Sequence, residues 1–320
     1  MMIYSGADTE AFLNEGDSDY LLVTFNEISF IANGSRYWGK PLIERNRINA
    51  IGIASRTPSW FLPSEISDIC NRSRPILDRF KGRIVLSGHS MGAYGAIKYS
   101  GLFGASTVVA TVPQYTIDRS ILENDPRPPN PYFHPGRHRG MHPRPHELSG
   151  EIFIFCDLGH FERPHFDKYM ALDYPRKHIF HVPYTDHELP RIFAREERFL
   201  RLIELCRQGG EQELRRFLRE SRIGADLRIV TIAQRLAPRR PDLALKLYRA
   251  HRQKFTPVYM SLLARALGPS RVAEAREIAR EAVALAPKLA GLPQISALLA
   301  AQGRIGEAEA MAPLAPPRRT

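Results

Sequence analysis

The sequence predicts an α/β protein whose C-terminal third is purely helical. Residues 20–190 alternate short apolar runs with helical stretches, as a parallel sheet with crossover helices requires. One strand-to-helix junction carries a serine flanked by glycines, and beyond about residue 195 strand signals stop.

Six segments read as strands: 20–26 (YLLVTFN), 50–54 (AIGIA), 83–87 (RIVLS), 107–112 (TVVATV), 151–156 (EIFIFC) and 178–183 (HIFHVP). Each is rich in β-branched or aromatic residues and is followed by turn chemistry. Helices are expected over 64–80 and 91–100. The stretch 118–150 breaks the rhythm with many prolines and with His134, His138, His142 and His146, spaced by four. On a helix that spacing would line one face and suggest a metal. Pro135, Gly136, Gly140, Pro143 and Pro145 prevent a helix from running through, so an irregular loop over the sheet's top edge is expected, with no metal.

Helices are also expected over 195–207 and 211–220. Further on, PDLALKLYRA, SRVAEAREIAREAVALAP and GRIGEAEAMAPLAP resemble one another. Aligning Ala244, Ala275 and Ala308 gives offsets of 31 and 33 residues, near the roughly 34-residue tetratricopeptide period. Tyr259, Leu262, Ala275, Ala282 and Pro287 fall near positions that such repeats fill with aromatic, large, small, small and terminating residues. The chain therefore divides into 1–195, an α/β domain, and 196–320, a tetratricopeptide-like region. An ordinary helical tail packed on the first domain is the alternative.

Composition limits the function. Hydrophobic residues make up 43% and charged residues 25% of 320, the profile of a globular protein. No apolar run approaches the roughly 18 residues of a membrane span. The N-terminus has neither a basic start nor an apolar stretch, so no secretory signal is read and the cytoplasm is expected. Cys70, Cys156 and Cys206 are too few and too scattered for a disulfide framework. The net charge of +11 comes from arginines spread over helical faces and the 118–150 loop, so nucleic-acid binding is not expected.

The segment RIVLSGHSMGAYGAIKY, residues 83–99, carries the chemistry. An apolar strand ends in Gly88-His89-Ser90-Met91-Gly92 and runs directly into a helix. A serine on so sharp a turn is strained, and glycines two before and two after it remove side chains that would collide. The Met91 N–H then lies at a helix N-terminus, where an oxyanion can form.

With this elbow, residues 20–190 resemble the α/β-hydrolase superfamily, particularly small bacterial serine hydrolases with a G-H-S-M-G elbow and a segment like PQYTID (113–118). Some of those are linked to surface polysaccharide or to secretion. The resemblance implies a triad in the order serine, acid, histidine: Ser90, then Asp157 directly after EIFIFC, then His187 in HIFHVPYTDHELPRIF. Asp167 is the competing acid, Asp186 reads as a turn or cap, and His89, His160, His165, His178 and His181 are less well placed. A second oxyanion donor is expected from the backbone N–H of Asn26 or Glu27. Trp60 and Phe61 either wall the pocket or belong to the core. The leading antiparallel hairpin of larger members is read as missing, giving a minimal fold.

The expected activity is an esterase-like or thioesterase-like serine hydrolase acting on a small-molecule or glycan acyl ester, with no cofactor. A peptide bond is a further candidate target. The alternative is a hydrolase-fold scaffold whose C-terminal helices bind a protein partner.

Overall fold

The computed structural model describes residues 1–268 and 270–300. Two compact units result, Met1–Ser221 and Arg222–Thr320. The first has the α/β class with a mainly parallel sheet that the sequence predicts, on eight strands. They are β1 (Met2–Ser5), β2 (Thr9–Asn14), β3 (Leu21–Phe25), β4 (Asn49–Ser55), β5 (Ile84–His89), β6 (Thr107–Thr111), β7 (Glu151–Cys156) and β8 (Lys177–His181). Their order is β1-β2-β4-β3-β5-β6-β7-β8, with β3 through β8 parallel and β1 and β2 antiparallel to their neighbours. All six strands read from the sequence are present. In β3, β4 and β6 every residue is buried, as strands covered on both faces must be.

The leading hairpin is present, which corrects the expectation of a minimal sheet. β1 is short and lies at the edge, and β2 (TEAFLN) carries a charge in its middle, so neither shows a hydrophobic run. That charge, Glu10, is buried. Its carboxylate accepts from the Gly34 N–H at 2.8 Å and from Arg56 at 2.7 Å. A buried carboxylate satisfied in this way fixes the hairpin to the strand beside it.

Helices cross between the strands: α1 (Lys40–Arg45), α2 (Pro63–Arg72), α3 (Arg74–Arg79), α4 (Met91–Lys98), α5 (Ser100–Phe103), α6 (Pro135–His138) and α7 (Arg163–Ala171). The single helix expected over 64–80 is divided at Ser73, because Pro75 has no N–H to continue the ladder. The 118–150 segment is irregular apart from α6 and a 3₁₀ turn at Pro145–Glu147. α8 (Glu196–Gln208) belongs to the first unit, because Leu202, Leu205 and Cys206 are buried and the helix packs against β6. The first unit thus extends past the boundary expected at residue 195, and α9 (Glu211–Ile223) closes it.

In the second unit, α10 (Asp226–Leu236), α11 (Pro241–Ala250), α12 (Pro257–Leu267), α13 (Val272–Leu285) and α14 (Pro293–Ala300) pack in sequence. α10 meets α11 and α12, while α12 meets α13 and α14. The starts of α10 and α12 are 31 residues apart, as are those of α11 and α13. Ala244 and Ala275 occupy the same position in α11 and α13 and are both fully buried. Pro287 follows the end of α13. The third similar segment, with Ala308, lies outside the described residues.

Among the described residues no helix is long and apolar enough to cross a membrane.

Glu10→Ala leaves the Gly34 N–H and Arg56 without their acceptor and should lower stability by about 1–3 kcal/mol. Chemical denaturation of the full chain measures it, and an unchanged midpoint would count against the account.

Candidate active site

β5 ends at His89, Ser90 adopts φ 54° and ψ −114°, and α4 begins at Met91. A positive φ at a non-glycine residue is strained, and here close packing holds it. A Cβ on Gly88 would lie 2.3 Å from the Gly92 carbonyl carbon, and one on Gly92 2.3 Å from the Phe25 oxygen. Only glycine permits either contact, so α4 lies directly against the end of β3. The Ser90 N–H donates to the Thr111 carbonyl at 3.0 Å. The Met91 N–H, first in its helix, has no intrahelical acceptor.

The sheet places this elbow at a switch in chain direction. From β3 the chain goes to β4 on one side, and β5 then forms on the other, with Phe25 paired to Gly88. Crevices at such switch points, outside the strand C-termini, are where ligands bind in open α/β sheets.

His187 comes from the far side of the site, in a 3₁₀ stretch, Asp186–Phe193, after β8. Tyr184 and Asp186 both have positive φ in the connecting turn. Asp157 holds that turn. One oxygen accepts from the Thr185 N–H at 3.0 Å and the Asp186 N–H at 3.2 Å, while the other accepts from the Gly159 N–H at 3.0 Å. Asp157 is fully buried and serves the backbone of the loop that carries the histidine.

The acid on the imidazole is Glu162. His187 Nδ1 donates to Glu162 Oε2 at 2.8 Å, which leaves Nε2 as the basic nitrogen. Asp157 was expected in this place; backbone N–H groups engage both of its oxygens, and the carboxylate that faces the ring is that of the buried Glu162, five residues on. Glu162 also accepts from His160 Nδ1 at 3.1 Å and from Arg127 Nη1 at 3.1 Å. Burial alone would raise its pKa. The charge of His187, the two imidazole hydrogen bonds and Arg127 outweigh that and hold it well below the usual carboxylate range. Burial opposes protonation of His187, and Glu162 overcomes it, raising that imidazole above its ordinary value.

The His89 ring lies 4.8 Å from the His187 ring. Its Nδ1 lies 3.1 Å from the Thr111 carbonyl, and burial followed by the nearby His187 pushes its pKa down to about 3. No hydrogen bond joins the Ser90 hydroxyl to His187 among the described residues. Such bonds commonly close only in the substrate complex.

One further expectation is corrected. The Asn26 N–H is not an oxyanion donor, because the parallel ladder continues one residue past β3 and that N–H donates to the Ile53 carbonyl at 3.2 Å. The Asn26 side chain instead accepts from the Ser55 N–H at 2.7 Å and donates to the Glu27 carbonyl at 3.0 Å. The N–H of Glu27, the other residue expected there, makes no backbone hydrogen bond among the described residues. Trp60 and Phe61, read as either pocket wall or core, take the second place. Both are buried in the central apolar cluster, with Phe61 edge-on to Phe25 at 5.1 Å. The spaced histidines also diverge: His138 faces the Ser59 carbonyl at 3.2 Å, and His142 stacks on Tyr115.

No family model matches this sequence, and no curated protein matches it. Among solved structures, the capsule O-acetyltransferase of Neisseria meningitidis serogroup A is similar over 63% of this chain and 93% of its own, at 12% identity and a TM-score of 0.42. The acetyl xylan esterase from Paenibacillus sp. R4 is similar over 62% and 79%, at 16% identity and 0.41. An acylaminoacyl peptidase from Pyrococcus horikoshii is similar over 64% of this chain and 40% of its own, at 11% identity and 0.43.

The two carboxylates should separate by experiment. The His187 imidazole should titrate above the ordinary 6.5 in NMR spectra, and Glu162→Gln should bring that value down. Asp157→Asn should leave it raised while costing about 1.5–3 kcal/mol of stability, the scale of a hydrogen bond to a charged group. The reverse pattern would restore Asp157 as the acid.

Proposed function

We propose that this chain is a serine hydrolase that cleaves an ester or related acyl bond through an acyl-enzyme. One observation supports this most: His89, next to the strained Ser90, lies 4.8 Å from the ring of His187, whose Nδ1 is held by a buried carboxylate. In the cycle, His187 Nε2 takes the Ser90 proton as Oγ attacks the acyl carbon. The Met91 and Glu27 N–H groups stabilise the tetrahedral oxyanion. As the bond to the leaving group breaks, the imidazolium returns its proton to that group. Water then attacks the acyl carbon, His187 accepts its proton, and Ser90 recovers a proton as the acid product leaves. Glu162 orients the imidazole and stabilises its charged form throughout.

The reading as an inert scaffold gains no comparable support. A buried carboxylate bearing two imidazoles and a guanidinium is weak as a stabilising device, because desolvation offsets much of its attraction. Such a cluster suits a site that needs a tuned base. We place the protein in the cytoplasm and assign it a small-molecule or glycan acyl ester as substrate. The repeated packing of α10 to α13 supports a tetratricopeptide-like role for the second unit, as a surface for a protein partner.

A fluorophosphonate probe should label the full chain, and Ser90→Ala should abolish labelling. Glu162→Gln should slow labelling by about 10⁴-fold, the loss seen when the orienting acid of a triad is neutralised. Wild-type protein that resists the probe would contradict the proposal. Beside these, a panel of short- and long-chain p-nitrophenyl esters and acyl-thioesters identifies the acyl preference.

A further inference from the structure

We infer that Arg127, carried by the irregular 118–150 segment, is a positioning residue that aligns the proposed triad by holding the second oxygen of Glu162. The inference rests on the serine-hydrolase reading and deepens it. Glu162 presents Oε2 to the two imidazoles and Oε1 to Arg127 Nη1, at 3.1 Å. A carboxylate gripped at both oxygens cannot rotate about its last bond, and the imidazole it holds is aligned with it.

Arg127 is itself fixed. Its Nε lies 3.0 and 3.2 Å from the Asp125 carboxylate oxygens, and Nη2 lies 2.8 Å from one of them. Arg119 donates to the carbonyls of both Asp125 and Arg127, which shapes the turn between them. Asp125 is anchored in turn by His165 of α7, at 3.3 Å, and Arg127 also lies against that imidazole. His165 accepts from the buried Tyr115 N–H, just beyond β6, at 2.9 Å. The loop after β6, the insert and α7 therefore converge on Glu162, and the insert cannot lift away without releasing one oxygen of the carboxylate. A segment that covers the site's edge thus also completes its geometry.

Arg127 also tunes the base. The groups acting on His187 are Glu162 at Nδ1, Glu188 on its own turn, His89 against its ring, and Arg127 behind Glu162; His160 shares the Glu162 oxygen. Glu162 and Glu188 raise the imidazole, and Arg127 lowers it. Removing the guanidinium charge should make His187 harder to deprotonate, so the acid limb of reactivity should move to higher pH.

The test follows the rate of fluorophosphonate labelling of Ser90 against pH in the full chain, for wild type, Arg127→Gln and Arg127→Lys. Arg127→Gln should slow labelling about tenfold or more, the scale of a lost charge-assisted hydrogen bond, and should move the acid limb upward. Arg127→Lys keeps the charge but lacks the fork that reaches Glu162 and Asp125 together. It should therefore keep the wild-type acid limb at a rate between the other two. If Arg127→Gln does not fold, Arg127→Lys decides alone: a reduced rate with an unmoved limb supports the inference, and a full wild-type rate overturns it. A uniform loss in Arg127→Gln with no movement of the limb would mark Arg127 as merely structural and would also overturn it. Wild-type protein that never labels would instead remove the hydrolase reading itself.

Discussion

Gly92 rests against the carbonyls of Phe25 and Asn26 because it has no Cβ, and the geometry of the site follows from that contact. It lets α4 start directly over the end of β3, which turns the chain at Ser90 through a left-handed conformation. The same approach brings the first N–H of α4 and the N–H of Glu27 to the C-terminal ends of two adjacent parallel strands. Any side chain at 92 would push the helix away and relax the serine. The strain at Ser90 is stored in packing.

Around this elbow the acidic residues divide their work by what surrounds them. Asp157 accepts from backbone N–H groups and holds the turn containing Tyr184 and Asp186, both in the left-handed region. Glu162 is filled by side chains, two imidazoles and a guanidinium. The first arrangement makes a loop rigid and the second sets a proton affinity. Burial accentuates the difference, since a carboxylate removed from water is governed by its immediate partners.

Much of this was legible in the sequence, and the misses have identifiable causes. The six parallel strands announce themselves as apolar runs, most clearly β3, β4 and β6, where both faces of the sheet are covered. The leading hairpin does not, because Glu10 interrupts β2 with a charge whose partners, Gly34 and Arg56, are distant in sequence. The strand-to-helix turn at Ser90 and the strand-end loop that carries His187 could be read because both impose local patterns. Glu162 could not: Asp157 stands directly after a strand, and nothing local shows that backbone donors from a turn 28 residues away occupy it. Asn26 failed as a donor because register, a property of the paired strand, decides which N–H groups are consumed. Phe61 was ambiguous because an aromatic residue after a strand serves core and pocket equally well, and only its edge-on contact with Phe25 distinguishes them.

The central claim is that Ser90, His187 and Glu162 act as one unit beneath two backbone donors. A crystal structure of the full chain after reaction with an organophosphonate tests it most directly. The account predicts a bond from phosphorus to Ser90 Oγ, with the phosphoryl oxygen about 2.7–3.1 Å from the Met91 and Glu27 nitrogens, and His187 Nδ1 still on Glu162. An adduct on another residue, or an imidazole swung from Glu162 onto Asp157, would contradict it.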